Sequence, residues 1–441
     1  MTDLDAAIGR AWRDDTSWEL LTELTAREHR MAGHPGEHRA ADLVRDAFET
    51  AGLHDVRTDE FPVHRWNRGT SELSLTAPFE RAFKTIALPY SPAGEVSADL
   101  VDVGYGTPEE FDELDVEGKV VVTSTTTPES YGRFVHRMEK YGHAVEAGAA
   151  AFVFANHKPG QLPPTGSLRF DGEGAIPAVG VSLEAGEWLT EHAGDGAEVT
   201  VAVEAETVDG TSPNVHGTLG PEGDDEVVVV AHLDAHDVAE GALDNGCGVA
   251  TLVGTARLLA ELEPDLDARV RLAAVGAEEV GLHGAAALAD DLDLDRVRAV
   301  VNLDGAGRYR DLRPLTQTSE TLTEIIERVA GEHDYPAATR KAPSPYSDHW
   351  PFVDEGVPAV QLHSQSGERG RGWGHTEGDT RDKTDPRNVR EHAILVALLC
   401  RELASTDDIP RVDDDELREG LVEQKMERGM RAADIWPERW E

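Results

Sequence analysis

Residues 227–245, VVVVAHLDAHDVAEGALDN, drive four consecutive valines into His232 and set Asp234, Asp237 and Asp244 in the loop beyond. An unbroken β-branched run with no polar alternation reads as a strand covered on both faces. The polar residues at its mouth then need a partner, because burying a carboxylate or imidazole alone is costly. Outward from this stretch, strand-like and helix-like segments alternate: GVATLVGTARLLAELE (248–263), RVRLAAVGAEE (269–279), VRAVVNLDG (297–305), LTEIIERVAGEH (322–333), VPAVQLH (357–363) and NVREHAILVALLCRELA (388–404). Such alternation predicts an α/β fold with helices on both faces of the sheet.

Other parts of the chain have a different texture. WELLTELTAREH (18–29) and EHRAADLVRDAFETAG (37–52) carry helical spacing, the second closing on Gly52 where a helix C-cap wants a glycine. Between about Ser71 and Glu206, short runs such as VEGKVVVTST, AAAFVFANH and IPAVGVSL sit among Gly, Pro and Asp turns, which suggests a separate domain. From Asp407 the chain is acidic and ends in DELREGLVEQKMERGMRAADIW, read as a peripheral helix. The expected divisions are 1–70, 71–206, 207–406 and 407–441.

Composition narrows the function classes. Against 85 Asp and Glu stand 41 Lys and Arg, a formal charge of -44 that argues against nucleic-acid and anionic-membrane partners. The acid is spread along all 441 residues and Arg greatly outnumbers Lys, which suits a high-salt setting where self-repulsion is screened. The 2 cysteines, Cys247 and Cys400, are too few for a disulfide framework, and neither a secretory leader nor a membrane-spanning run is apparent, so a cytoplasmic location is expected.

In open α/β sheets ligands bind beyond the carboxyl ends of the strands. His232, the Glu278-Glu279 pair, Asp304 and His363 each follow or end a predicted strand, and Asp244 lies in the loop leading to a helix that begins near Gly246. Imidazoles and carboxylates without thiolates suit zinc or a similar divalent ion, and this many acids in one crevice favour two ions bridged by a carboxylate, for which Asp244 is the natural choice. Asp234 is placed to accept the second N–H of His232 and fix its tautomer. Adjacent side chains in irregular backbone diverge, so Glu279 is read as a ligand and Glu278 as the general base.

AHLDAHDVAEGALDNGCGVATLV, GAEEVGLHGA, VNLDGAG, YSDHWPFVDEGVPAVQLH and GHTEGDT together resemble the zinc exopeptidase family that includes bacterial leucine aminopeptidases and glutamate carboxypeptidase. EGKVVV, EAGAAAFVFAN and IPAVGVS resemble the protease-associated (PA) domain inserted in many such enzymes, and HRMAGHPGEHRAADLVRDAFETAG resembles the family's beginning. The resemblance implies a three-layer α/β/α peptidase domain with a mixed, mostly parallel sheet, interrupted by a β-rich PA domain. It implies that His232, Asp244 and Asp304 hold one zinc, that Asp244, Glu279 and His375 hold the other, and that the substrate is a peptide. Spacing alone leaves His363 a rival of His375; the H-T-x-x-D-T resemblance favours His375. Many members carry tyrosine directly before that histidine, whereas Gly374 stands here, so the oxyanion donor is unassigned.

The expected activity is removal of N-terminal residues by a zinc aminopeptidase. Arg308, Arg310, Arg369 and Arg371 keep a carboxypeptidase or dipeptidase in view, since a guanidinium is what a substrate carboxylate seeks. A single-zinc glutaminyl cyclase and a non-catalytic peptidase-like binding protein are further alternatives, the last disfavoured because every matched ligand position is filled. His236, His283 and His349 are read as supporting or surface residues, His29, His34, His38, His136, His143 and His157 as solvent-facing, and Cys247 as a small buried thiol.

Overall fold

Every residue of strand Glu226–His232 is buried, as the valine run demands. This strand lies at the middle of a sheet, in a computed structural model that describes residues 3–26, 29–223, 225–365 and 372–441. The chain divides into two compact units. The first comprises Met1–Val63, Gly210–Gly374 and Asp379–Gly420; the second comprises His64–Asp209, His375–Gly378 and Leu421–Glu441.

In the first unit the strands run in the order Leu312–Leu315, Ala359–Ser364, Val297–Asn302, Glu226–His232, Arg269–Val275, then the end of Glu198–Leu219. The four inner strands are parallel and the outer two antiparallel, a mixed and mostly parallel sheet. Helices Leu4–Ala11, Pro35–Ala51, Cys247–Leu262, Glu320–Glu332 and Pro386–Ala404 contribute to one apolar core that takes Val227, Val229 and Ala231 from the central strand. Val228 and Val230, which alternate onto the other face, are also fully buried, and helix His283–Asp291 packs against the neighbouring strand. Each valine so covered contributes about 1.5–3 kcal/mol. Packing on both faces therefore fixes the strand's register and, with it, the height at which His232 emerges. Val275 is the Cα partner of His232, so the two strands end level, three residues before Glu278.

The second unit is built on parallel strands Gly94–Asp102, Val120–Ser124, Ala151–Ala155 and Ala178–Val181, with Thr85–Ala87 antiparallel at the end. Its core joins Phe152 and Phe154 of the sheet to Phe111 and Tyr141 of helices Pro108–Glu113 and Arg137–Glu146. The C-terminal segment holds two helices, Asp414–Glu423 and Glu427–Ala432, separated at Lys425, whose φ is 61. It is not peripheral, because Leu421, Met430 and Trp440 are buried. No helix among the described residues is long and apolar enough to cross a membrane.

Candidate metal centre

The loops that leave the level strand ends of the first unit bring carboxylates together with imidazoles. His232 Nε2 lies 3.4 Å from Asp244 Oδ1 and 3.9 Å from Asp304 Oδ1. Two ligands of one tetrahedral zinc, each at about 2.1 Å, stand about 3.4 Å apart, so the first separation has the size a shared ion requires. One donor atom each of His232, Glu278 and Asp304 also fall within 4.8 Å of one another, which brings Glu278 into the same pocket. Glu279 turns elsewhere and meets His236 Nε2 at 2.9 Å.

Each of these groups is anchored from outside the pocket. Asp304 Oδ2 accepts from Ser347 Oγ at 2.9 Å and Gln361 Nε2 at 2.8 Å. Asp379 accepts the main-chain N–H groups of Leu243 at 2.6 Å and Asp244 at 3.0 Å, holding the turn that carries Asp244. Asp234 departs in part from expectation. Its carboxylate approaches His232 Nδ1 only to 3.5 Å, while its own carbonyl lies nearer, at 3.2 Å. The carboxylate instead accepts the N–H groups of Glu278 and Glu279 at 3.0 and 3.1 Å, because those donors arrive on the adjacent loop with better aim.

The electrostatics follow from burial. Burial alone would lower the pKa of His232, but Glu278, Asp234, Asp244 and Asp304 outweigh it and raise it well above its ordinary value. Glu278 is pushed well above the usual carboxylate range by burial, against the pull of His232 and with further push from Glu279, Asp348 and Asp304. Asp348 is fully buried and raised for the same first reason, and neither of its oxygens finds a hydrogen-bond donor among the described residues. Burial, with Asp244 close by, lifts Asp379 to about 7. A crowd of buried carboxylates is stable when protonated or when cations sit among them.

Of the other expected residues, His375 has a φ of 60 and groups with the second unit, where its Nδ1 lies 3.2 Å from the Thr165 carbonyl and 3.5 Å from Arg137 Nη1. His363 lies within strand Ala359–Ser364, opposite Arg313. Arg308 is not open to a substrate carboxylate: it is 3% exposed, donates from Nε to the Leu243 carbonyl at 2.8 Å and sets Nη2 3.3 Å from Asp244 Oδ1. Arg310 pairs with Glu391 at 3.2 Å, and Arg369 and Arg371 lie outside the described residues. Cys247 is buried at the start of its helix, as read, and burial pushes its thiol up to about 12. His143, expected in solvent, is buried because its helix turns that face inward. The reading of the residues passed over Asp348, Asp379 and the contact between His236 and Glu279. The H-L-D-A-H spacing and the H-T-x-x-D-T motif were the available signals.

Residues 214–400 match peptidase family M28 and residues 96–189 match the PA domain. Aminopeptidase YwaD of Bacillus subtilis (strain 168) is 27% identical over 398 residues, covering 87% of this chain and 83% of that one. The solved structure of BSAP, a zinc aminopeptidase from Bacillus subtilis, is 26% identical with a TM-score of 0.69 and covers 90% of this chain and 97% of that one. A peptidase M28 precursor from Shewanella amazonensis SB2B shares the fold, with a TM-score of 0.80 at 22% identity and coverage of 92% and 97%. The level strand ends and the buried ligand-type side chains around them thus lie in the region, residues 214–400, that is similar to peptidase family M28, and residues 96–189 are similar to a PA domain.

Proposed function

We propose that this protein is a di-zinc exopeptidase that removes N-terminal residues from peptides. One observation carries the reading: Asp234, Asp244, Glu278, Glu279, Asp304 and Asp348 gather at the strand ends of the first unit, a concentration of buried negative charge that divalent cations would offset. The donor set, imidazole and carboxylate without thiolate, fits zinc. His232, Asp244 and Asp304 would hold one ion, and Asp244, Glu279 and His375 the other. His236 would steady Glu279 through the 2.9 Å approach of its Nε2, as partners of metal ligands do.

When bound, such ions supply Lewis acidity toward the scissile carbonyl and the attacking water. Glu278 takes a proton from that water and hands it to the leaving amine, a relay that suits a carboxylate whose proton affinity burial has raised. Asp234 keeps Glu278 in place through its main-chain N–H. The aminopeptidase reading agrees with the names of Aminopeptidase YwaD and BSAP and with the burial of Arg308 against Asp244. Its acidic surface and two buried free thiols support a high-salt cytoplasm as the setting.

The test compares hydrolysis of aminoacyl anilides by the parent and by Glu278→Gln in molar salt. Loss of the base lowers kcat by about 100- to 10,000-fold while metal content stays at the parent level. A Glu278→Gln protein that turns over at the parent rate refutes the assignment. N-blocked substrates cleaved faster than free ones would favour a carboxypeptidase instead.

A further inference from the structure

Arg30 and Glu37 stand outside the proposed ligand set, yet both are buried, at 2% and 0% exposure. Arg30 directs its guanidinium at main chain. Nε donates to the Leu233 carbonyl at 3.0 Å, Nη1 to Glu240 at 2.8 Å and Leu24 at 3.3 Å, and Nη2 to Gly241 at 2.8 Å. Its own carbonyl accepts from the Ala235 N–H at 3.0 Å. The loop between His232 and Asp244 is therefore wound around one side chain. Gly241, at φ 61, shows how closely: a Cβ there would come within 2.3 Å of Ala235 Cβ and 3.0 Å of Arg30 Nη2.

Glu37, in the first turn of helix Pro35–Ala51, grips the other loop. Its Oε1 accepts from Ser212 Oγ at 2.7 Å and from the Ala277 N–H at 3.1 Å, and its Oε2 from the Gly33 N–H at 2.6 Å. Ala277 sits at φ 55, a left-handed conformation that a residue with a Cβ keeps only when neighbours hold it. That conformation turns the chain from strand Arg269–Val275 into Glu278 and Glu279. Within the stretch 30–37, one residue thus holds the loop of His232 and Asp244 and another the loop of Glu278 and Glu279.

We propose that Arg30 and Glu37 are positioning residues that set the spacing between these two ligand-bearing loops, and through it the affinity for the ions and the aim of Glu278. The inference rests on the di-metal reading above. Arg30→Lys keeps the charge but loses the fork that reaches separate carbonyls. Glu37→Gln keeps the shape but turns an N–H donor toward Gly33 or Ala277, both donors themselves.

The test measures metal content, competition with a chelator, and kcat and KM for the parent, both variants and Leu322→Ala, a core substitution in the same unit chosen to lower Tm without touching either loop. The parent should retain two ions per chain. Each variant should bind them about 10-fold or more weakly, with kcat reduced and KM little changed, whereas Leu322→Ala keeps the parent's affinity and kcat. Should Arg30→Lys not fold, Glu37→Gln decides alone. Parent-like metal affinity in the folded variants, or an equal loss in Leu322→Ala, overturns the positioning role and leaves the di-metal reading standing. A parent chain that binds no metal overturns both.

Discussion

Asp234 receives the main-chain N–H groups of Glu278 and Glu279 on its two oxygens, at 3.0 and 3.1 Å, and offers His232 its carbonyl at 3.2 Å. A carboxylate does this because both oxygens accept, whereas an amide must present a donor on one side. Asp234→Asn therefore sets NH2 against one of the two N–H groups, at a cost of about 1–3 kcal/mol. Calorimetry should register the lower Tm, and kinetics should show kcat falling at least 10-fold as Glu278 loses its aim. The contact between His232 and the carbonyl survives the substitution, so His232 keeps its orientation. Parent-like kcat in Asp234→Asn would mean that the loop of Glu278 is held by something else.

At the scale of elements, what repeats locally was legible. The helix reading of 37–52 became Pro35–Ala51 capped by Gly52 at φ 89, and the helix expected near Gly246 begins at Cys247. The valine run, VRAVVN and PAVQLH became the parallel strands whose ends carry the site. What depends on distant contact was not. Asp379 and Leu243 are 136 residues apart in sequence, and Glu37 and Ala277 are 240 apart, so no periodicity joins them. Strand Leu312–Leu315 was passed over because it is short, edge-placed and interrupted by Arg313 and Pro314, features that read as loop. Helix Leu4–Ala11 was missed because eight residues offer too few turns to show a face. The sequence points to Asp234 as a partner of His232, but its reach to the next loop is a property of two strands ending level.

For the whole molecule, the acid divides into two populations with opposite pH behaviour. Surface carboxylates such as Asp385, held to about 2 chiefly by the hydrogen bond from Arg387, add stability that is lost only as pH falls through that value. The buried group behaves in reverse. Glu37, Glu278 and Asp348 are raised by burial, and Asp379 reaches about 7, so the folded chain binds their protons more tightly than the unfolded chain does. For Asp379 that stability is full below about pH 4 and lost as pH rises through about 7, and Glu37, Glu278 and Asp348 act in the same direction. His232, raised by its acidic neighbours, acts in the same direction at higher pH. Chelator-treated protein should thus lose Tm between about pH 4 and 7 in scanning calorimetry, and saturating divalent metal should flatten or reverse that slope as cations replace protons. An unchanged slope would remove the electrostatic argument for cations among these carboxylates.

The central claim is that two divalent cations sit among these side chains, and elemental analysis of the dialysed protein tests it most directly. The account predicts two divalent ions per chain in the parent and one in His375→Ala, with hydrolysis lost on chelation and restored by zinc. A parent chain that holds no divalent metal and still cleaves peptides would contradict it.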